Sequence, residues 1–211
     1  MRMLIIGASR GTGALATRAA LERGHEVTAF ARHPDALSLD HPGLERVAGD
    51  FHDRASVEAA VAGHAAVIVT AASRSLRAYK QNPYYFSQGT RLVIDAMKSH
   101  GARRLVILSA FGVGESGALE GFWMEKLVLS LLLRRPFEDH ERQEEMVKAS
   151  GLEWVIARPT RLTNGPARGR YVKTAALERT PGAISRADVA GFLVEAAETE
   201  TWVGKAVHLG G

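Results

Sequence analysis

Residues 1–13 read MRMLIIGASRGTG. Met3 to Ile6 form a short apolar run that stops at Gly7, Gly11 and Gly13 follow, and an Ala/Leu-rich segment begins. This order predicts a buried strand, a glycine turn and a helix. The three together make an anion site. The first amides of a helix have no partner within it, the helix start carries partial positive charge, and glycine lets a pyrophosphate approach the backbone. The reading is a dinucleotide site; the alternative is a plain strand-to-helix turn. Because the spacing is G-x-x-x-G-x-G and not G-x-G-x-x-G, the position of the glycines carries the reading more than the pattern does.

Outward from this loop, Glu26 to Ala31 (EVTAFA) reads as the second strand, with Arg32 directly after it. An acid there, about 20 residues beyond the glycines, would bind the ribose 2′-OH of NAD. The strand end carries no acid. An arginine suits a 2′-phosphate because its planar fork pairs with phosphate oxygens. Arg10, inside the loop, is a second candidate for the same phosphate. NADP is therefore expected in preference to NAD, the alternative being that Arg32 is a solvated loop charge.

The 211 residues suit one domain, 1–211, and contain no cysteine. Disulfides, thiolate metal sites and cysteine nucleophiles are thereby excluded. The composition fits a cytoplasmic protein, and the N-terminus lacks the layout of a signal peptide because the glycine loop interrupts it. The apolar stretch from Leu127 to Leu133 is too short to span a bilayer. The pI is 9.6, yet the net charge is only +4. Lysine and arginine are scattered without interleaved aromatics, so nucleic-acid binding is not expected. A mildly positive cofactor cleft explains the balance.

Further along, helices are expected over Gly13 to Arg23, Asp53 to Ala62, Ser87 to His100, Leu119 to Arg135, Asp139 to Ser150 and Ser185 to Glu198. Gly24, Gly101 and Gly151 are natural stops, and Asp53 and Ser185 natural caps. Strands are expected at Leu44 to Ala48, Ala65 to Ala71, Arg104 to Leu108, Glu153 to Ala157 and Lys205 to Leu209. This alternation predicts an α/β, doubly wound parallel sheet, the Rossmann fold, with a small C-terminal substrate-side portion. Substrate-side elements are expected from 112–138 and 158–184. The second is a long connection at the carboxyl end of a strand, where ligands bind in open α/β sheets.

HAAVIVTAASR (64–74), SQGTRLVIDAMKSHGARRLVILSAF (87–111), EDHERQEEMVKASGLEWVIARPTRL (138–162) and ISRADVAGFLVEA (184–196) resemble the atypical short-chain dehydrogenase/reductases. The resemblance is to the NmrA-like and biliverdin-IXβ/flavin reductase group, and most to its flavin reductase branch. It implies that Gly7, Ser9, Arg10, Gly11, Thr12 and Gly13 hold the pyrophosphate and that Arg32 meets the 2′-phosphate. Asp50 and Phe51 would line the adenine, with Asp50 accepting from its amine. Thr70, Ala71 and Ala72 would pass beside the nicotinamide ribose. Ser109 would sit by the nicotinamide and substrate, while Arg158, Pro159, Thr160, Arg161 and Leu162 would border the nicotinamide from the other side. Arg161 falls near a histidine of that branch and would steer an acidic substrate.

The segment after Ser109 has no Tyr-x-x-x-Lys; Phe122 and Lys126 stand where a classical enzyme might carry it. A phenylalanine has no proton to give, and loss of a positioned acid typically removes about 10²–10⁴ in rate. Lys126 is a candidate for the cofactor ribose or a solvated lysine. Ser109 is a candidate donor to the carboxamide or substrate, or a hydroxyl bonding nearby backbone. His140 with Glu138, Asp139 and Glu141 reads as an exposed charged helix start, not a metal site, and Glu144, Glu145 and Lys148 as a solvated face. Phe122, Trp123, Met124, Leu127 and Leu131 read as core, with a substrate wall or self-association surface as alternatives. Tyr84, Tyr85 and Phe86 either cap a planar ring or anchor a helix entrance. The first expectation is an NADPH-dependent reductase of a small planar acceptor (flavin, quinone or tetrapyrrole), monomeric or homodimeric. The alternatives are a non-catalytic NmrA-like sensor of the dinucleotide and, last, an epimerase.

Overall fold

The computed structural model describes residues 1–72, 82–119, 124–178, 180 and 182–211. One sheet of eight strands forms its middle layer. In chain order these strands are β1 (Arg2–Ile6), β2 (Glu26–Ala31), β3 (Leu44–Ala48), β4 (Ala66–Val69), β5 (Arg104–Leu108), β6 (Glu153–Pro159), β8 (Val172–Thr174) and β10 (Lys205–Gly210). They lie in the order β3-β2-β1-β4-β5-β6-β10-β8. All neighbours run parallel except β8, which is antiparallel to β10. A second, two-stranded sheet pairs β7 (Arg161–Thr163) with β9 (Ala183–Ser185). The doubly wound parallel sheet is thus the fold of the chain. Its central strands have both faces covered, which is why β1, β4 and β5 read as continuous apolar runs.

Among the described residues the α-helices are α1 (Gly11–Glu22), α2 (Arg54–Val61), α3 (Tyr85–His100), α4 (Met124–Lys148) and α5 (Arg186–Glu198). Met3, Ile5, Ile68, Val106 and Val207 pack on one face of the sheet with Ala16 and Ala20 of α1 and Phe192 and Leu193 of α5. Leu4, Ile6, Val67, Leu105 and Ile156 pack on the other with Val57 of α2, Val93 and Met97 of α3 and Val147 of α4. Alternate strand residues therefore serve opposite cores. The strand order reverses between β1 and β4, the place where a doubly wound sheet opens a crevice for a ligand.

Three differences from the sequence reading have physical causes. Helix α1 begins at Gly11, not Gly13, because Arg10 already has the extended backbone of a cap residue, φ −154° and ψ 166°. Where two helices were expected, one α4 continues through Pro136. An internal proline loses a backbone hydrogen bond and costs about 3 kcal/mol. Tertiary bonds offset that cost. Asp139 accepts from Phe86 N at 2.6 Å and Ser87 N at 3.2 Å, and Gln143 donates to Thr90 Oγ1 at 2.8 Å. Third, the long connection from 158 contains two short strands, β7 and β8. Among the described residues, no helix is long and apolar enough to cross a membrane.

Candidate functional site

A cavity of about 390 Å³ opens at the carboxyl ends of β1, β2 and β4. Its floor is the loop from Gly7 to Thr12, with Ile6 below it. No side chain caps α1, whereas Asp53 caps α2 by accepting from Ser56 N and Ser185 caps α5 by accepting from Asp188 N. The first-turn amides of α1 thus keep the capacity to bind an anion.

Two glycines of the loop are fixed by contact. Gly7 has φ +85°, and a Cβ there would stand 2.8 Å from Ala71 N. A Cβ on Gly13 would stand 2.3 Å from Gly7 O and 2.5 Å from Thr70 Oγ1. Gly13 therefore lets α1 press against the loop and β4, and does not itself line the cavity. Gly11, with φ +56°, has open space where a Cβ would be, save Arg186 Nε at 4.0 Å.

On the β2–β3 side the cavity is walled by Phe30, Ala31, Arg32, His33, Gly49, Asp50 and Phe51. A Cβ on Gly49 would meet the Phe30 ring at 2.3 Å, and one on Gly89 the Phe51 ring at 2.2 Å. Both aromatic rings owe their seats to glycines. Asp50 Oδ1 accepts from His52 N at 2.8 Å. On the β4 side lie Thr70, Ala71 and Ala72. The Thr70 hydroxyl donates to Ile6 O at 2.9 Å and ties β4 to β1 below the loop. Leu108 of β5, Leu162 of β7 and Arg186 of α5 complete the lining.

Beside the cavity lies a buried polar cluster. Ser109 Oγ donates to Glu144 Oε1 at 2.7 Å, and Arg158 Nε donates to the same oxygen at 3.0 Å. Arg158 also bonds Glu144 Oε2 and donates to Glu115 Oε1 at 2.9 Å. Burial opposes the charge on Arg158, but the bonds from Glu144 and Glu115 outweigh it and raise its pKa further. The Arg158 hydrogen bond brings Glu115 down to about 2. His208 Nε2 lies 3.4 Å from Arg158 Nη1, and burial, then the Arg158 charge, lowers its pKa. The His208 ring is therefore held toward its neutral form.

The cavity brings together Gly7, Ser9, Arg10, Gly11, Thr12, Arg32, Asp50, Phe51, Thr70, Ala71, Ala72 and Leu162. Gly13, Ser109, Arg158, Pro159, Thr160 and Arg161 stand outside its lining. Arg158 is turned into the protein and its guanidinium is taken up by Glu144 and Glu115. Pro159 is buried, with its carbonyl accepting from Phe111 N at 2.9 Å. Arg161 is exposed on β7. Phe122 and Trp123 lie outside the described residues, as do the side chains of Met124, Lys126, Leu127 and Leu131.

Two expectations for the α4 region are corrected. Glu144 is not on a solvated face; its side chain is 2% exposed, between Ser109 and Arg158. Asp139 and His140 do not open an exposed helix; Asp139 is fully buried at the start of α3, and the His140 ring stacks on Phe86 at 3.7 Å. Tyr85 and Phe86 thus anchor α3, while Tyr84 is exposed with Arg142 over its ring at 4.9 Å. The sequence reading missed Arg186, His33 and Phe30 as cavity residues. The Ser185 cap marks where α5 starts, but nothing local in the sequence joins Arg186 to the glycine loop.

These residues fit a dinucleotide. Gly7 has no room for a Cβ, the α1 amides have no side-chain cap, and Arg10, Arg32 and Arg186 supply positive charge to one cleft. The comparisons agree. A family model described as NAD(P)H-binding matches residues 7–200. The chain belongs to that NAD(P)H-binding family.

Sterol demethylase protein B of Methylococcus capsulatus is 31% identical over 182 residues, which is 79% of this chain and 52% of that protein. This chain therefore spans about half that relative's length. An uncharacterized sugar epimerase, YhfK of Bacillus subtilis, is 26% identical over 99% of this chain and 94% of its own. Among solved structures, ChuY, an anaerobillin reductase from Escherichia coli O157:H7, aligns with a TM-score of 0.81 and 26% identity over 100% of this chain and 97% of that one. A short-chain dehydrogenase/reductase from Veillonella parvula in complex with NADP has the same fold, with a TM-score of 0.80, 21% identity and coverage of 100% and 94%.

Proposed function

We propose that the protein is an NADPH-dependent reductase that passes hydride to a small planar acceptor: a flavin, a quinone or a tetrapyrrole. The observation that carries this reading is the composition of the cavity's two ends. Charge is concentrated on the loop, which carries Arg10 and is faced by Arg186, and at the β2–β3 side, where Arg32 and Asp50 stand. Toward β5 and β7 the described lining is Leu108 and Leu162. That is an apolar surface suited to a conjugated ring.

NADPH supplies the hydride when bound. Gly7, Gly11 and Thr12 hold its diphosphate, and Arg32 pairs with the 2′-phosphate and selects NADP over NAD. Asp50 and Phe51 hold the adenine. Thr70, Ala71 and Ala72 flank the far ribose. Leu108 and Leu162 exclude water and orient the rings, which is where the rate comes from.

Ser109 does not act as the acid. Its proton is used on Glu144, which leaves its oxygen as an acceptor for an N–H group. Arg158 serves by holding the Glu144 carboxylate in place through bonds to both of its oxygens. Arg161, exposed on β7, attracts an acidic acceptor. The acceptor takes its proton from water, consistent with Phe122 in place of a tyrosine. The reductase named among the similar structures supports this class of acceptor over a sensor role.

The test is oxidation of NADPH by the purified protein with FMN, quinones and biliverdin. Turnover with at least one is expected. Tight NADPH binding with no turnover across a broad panel would instead favour the sensor.

A further inference from the structure

Arg186 opens α5 from the C-terminal part of the chain, yet it lines the same cavity as the glycine loop. Its backbone is rigidly placed. Ser185 pairs in register with Thr163 across the small β7–β9 sheet. Asp188, one turn into α5, accepts from Arg168 N at 3.0 Å and Gly169 N at 2.9 Å, tying the loop after β7 to the helix start.

From this base, Arg186 Nη1 donates to Asn164 Oδ1 at 2.6 Å. The acceptor is a neutral amide, so the guanidinium charge is not neutralised by it. A guanidinium has five N–H donors in a fixed fork. Among the described residues no carboxylate lies within ion-pair distance of Arg186, and the lining contains one carboxylate, Asp50, on the β3 side. The other end of the fork faces the loop, with Arg186 Nε 4.0 Å from where a Cβ on Gly11 would stand.

We propose that Arg186, braced by Asn164, is a diphosphate clamp: it grips the dinucleotide's diphosphate against the uncapped start of α1. The inference rests on the dinucleotide reading of the cavity and adds a residue from the opposite side of the cleft. Position distinguishes it from Arg32, which follows β2 and belongs to the adenosine end. Arg186 faces Gly11, the first residue of α1, where the diphosphate lies. The clamp also has a structural consequence. Because Asn164 is part of the loop after β7, the strand that carries Leu162, the diphosphate and the substrate side share one guanidinium.

The experiment is calorimetric titration of wild type, Arg186→Ala, Arg186→Lys and Arg32→Ala with NADPH, NADH and 2′-AMP, with no acceptor present. Arg186→Ala is expected to weaken NADPH and NADH by the same factor, about ten- to a hundredfold, the loss typical of a charge-assisted bond. Its affinity for 2′-AMP, which has the ribose phosphate but no diphosphate, is expected to match wild type. Arg186→Lys is expected to recover part of the loss, since it keeps the charge without the fork.

Arg32→Ala is expected to weaken NADPH and 2′-AMP and spare NADH. An Arg186→Ala protein that binds both dinucleotides as wild type does overturns the clamp. So does one that loses NADPH alone, which would place Arg186 on the 2′-phosphate. A wild type that binds neither dinucleotide overturns the cavity reading itself and the clamp with it. Should the alanine variant unfold, Arg186→Gln, which removes the charge but keeps a hydrogen-bond donor, decides between the same outcomes.

Discussion

Ser109 and Glu144 share a hydrogen bond of 2.7 Å in which the serine is the donor and the carboxylate the acceptor. Arg158 donates to both oxygens of the same carboxylate, so the serine proton points into the protein. A hydroxyl in this arrangement can accept a bond from a ligand but does not supply a proton. Ser109→Ala is therefore expected to lower kcat/KM with a planar acceptor by about tenfold or less. Removal of a positioned general acid would cost about 10²–10⁴. Steady-state kinetics against pH check this, and a loss in that larger range would show Ser109 to be the acid.

Glu144 and Arg158 are both almost fully buried, with side-chain exposures of 2% and 1%. Removing one partner leaves the other as an uncompensated buried charge. Glu144→Ala is expected to destabilise the fold by about 3–5 kcal/mol. The paired replacement Glu144→Leu with Arg158→Met is expected to cost much less, because it removes both charges together. Denaturant unfolding of the two variants measures the difference, and equal losses would show that packing, not charge, sets the cost.

Gly13 is held by contact and not by its backbone angle. A Cβ there would stand 2.3 Å from Gly7 O, and backbone cannot yield as a flexible side chain does. Gly13→Ala is expected to destabilise by about 1–3 kcal/mol, in the range of overpacking, and to weaken NADPH binding by displacing the loop. Gly191→Ala is the control. It sits in α5 with nothing within 4 Å of its would-be Cβ, and alanine is the better helix former. Thermal melts with and without NADPH separate the two effects.

The acid limb of stability follows from two shifts of the same sign. Glu115 falls from 4.5 to about 2 through its bond to Arg158. The unfolded chain therefore binds more protons than the native one in that interval. Its contribution is complete above about 4.5 and is lost as pH drops toward 2. His64, His140 and His208 are each lowered, first by burial. Their contribution is complete above the ordinary histidine value of 6.5 and is lost as pH falls through the lowered ones. Melting temperatures across pH are expected to decline in two stages, below about 6.5 and again below about 4.5. Glu115→Gln is expected to reduce the second stage, to which the lowered carboxyls of Asp53, Asp188 and Glu195 also contribute.

Local chemistry made much of the fold legible. Met3 to Ile6 and Ala66 to Val69 are buried on both faces and read as apolar runs; Gly24 and Gly101 stop helices with positive φ. The loop and the ends of β2, β3 and β4 were legible for the same reason, since strand, glycine and helix signals lie close together in sequence. Residues joined only by tertiary structure were not. Pro136 signals a helix end in sequence, and only the bonds from α4 to α3 explain its place inside a helix. Glu144 looks like its charged neighbours until Ser109 and Arg158 are folded against it. Arg186 reaches the loop from residues far along the chain, and no periodicity reports that.

The measurement that bears most directly on the whole reading is equilibrium titration of the native protein with NADPH and NADH, followed by heat or by tryptophan quenching. Saturable binding of both is expected, with NADPH tighter by about tenfold or more, since a charge-assisted bond to a 2′-phosphate is worth about 1.5–3 kcal/mol. Equal affinities would remove the role given to Arg32, and no saturable signal with either nucleotide at millimolar concentration would contradict the reading at its root.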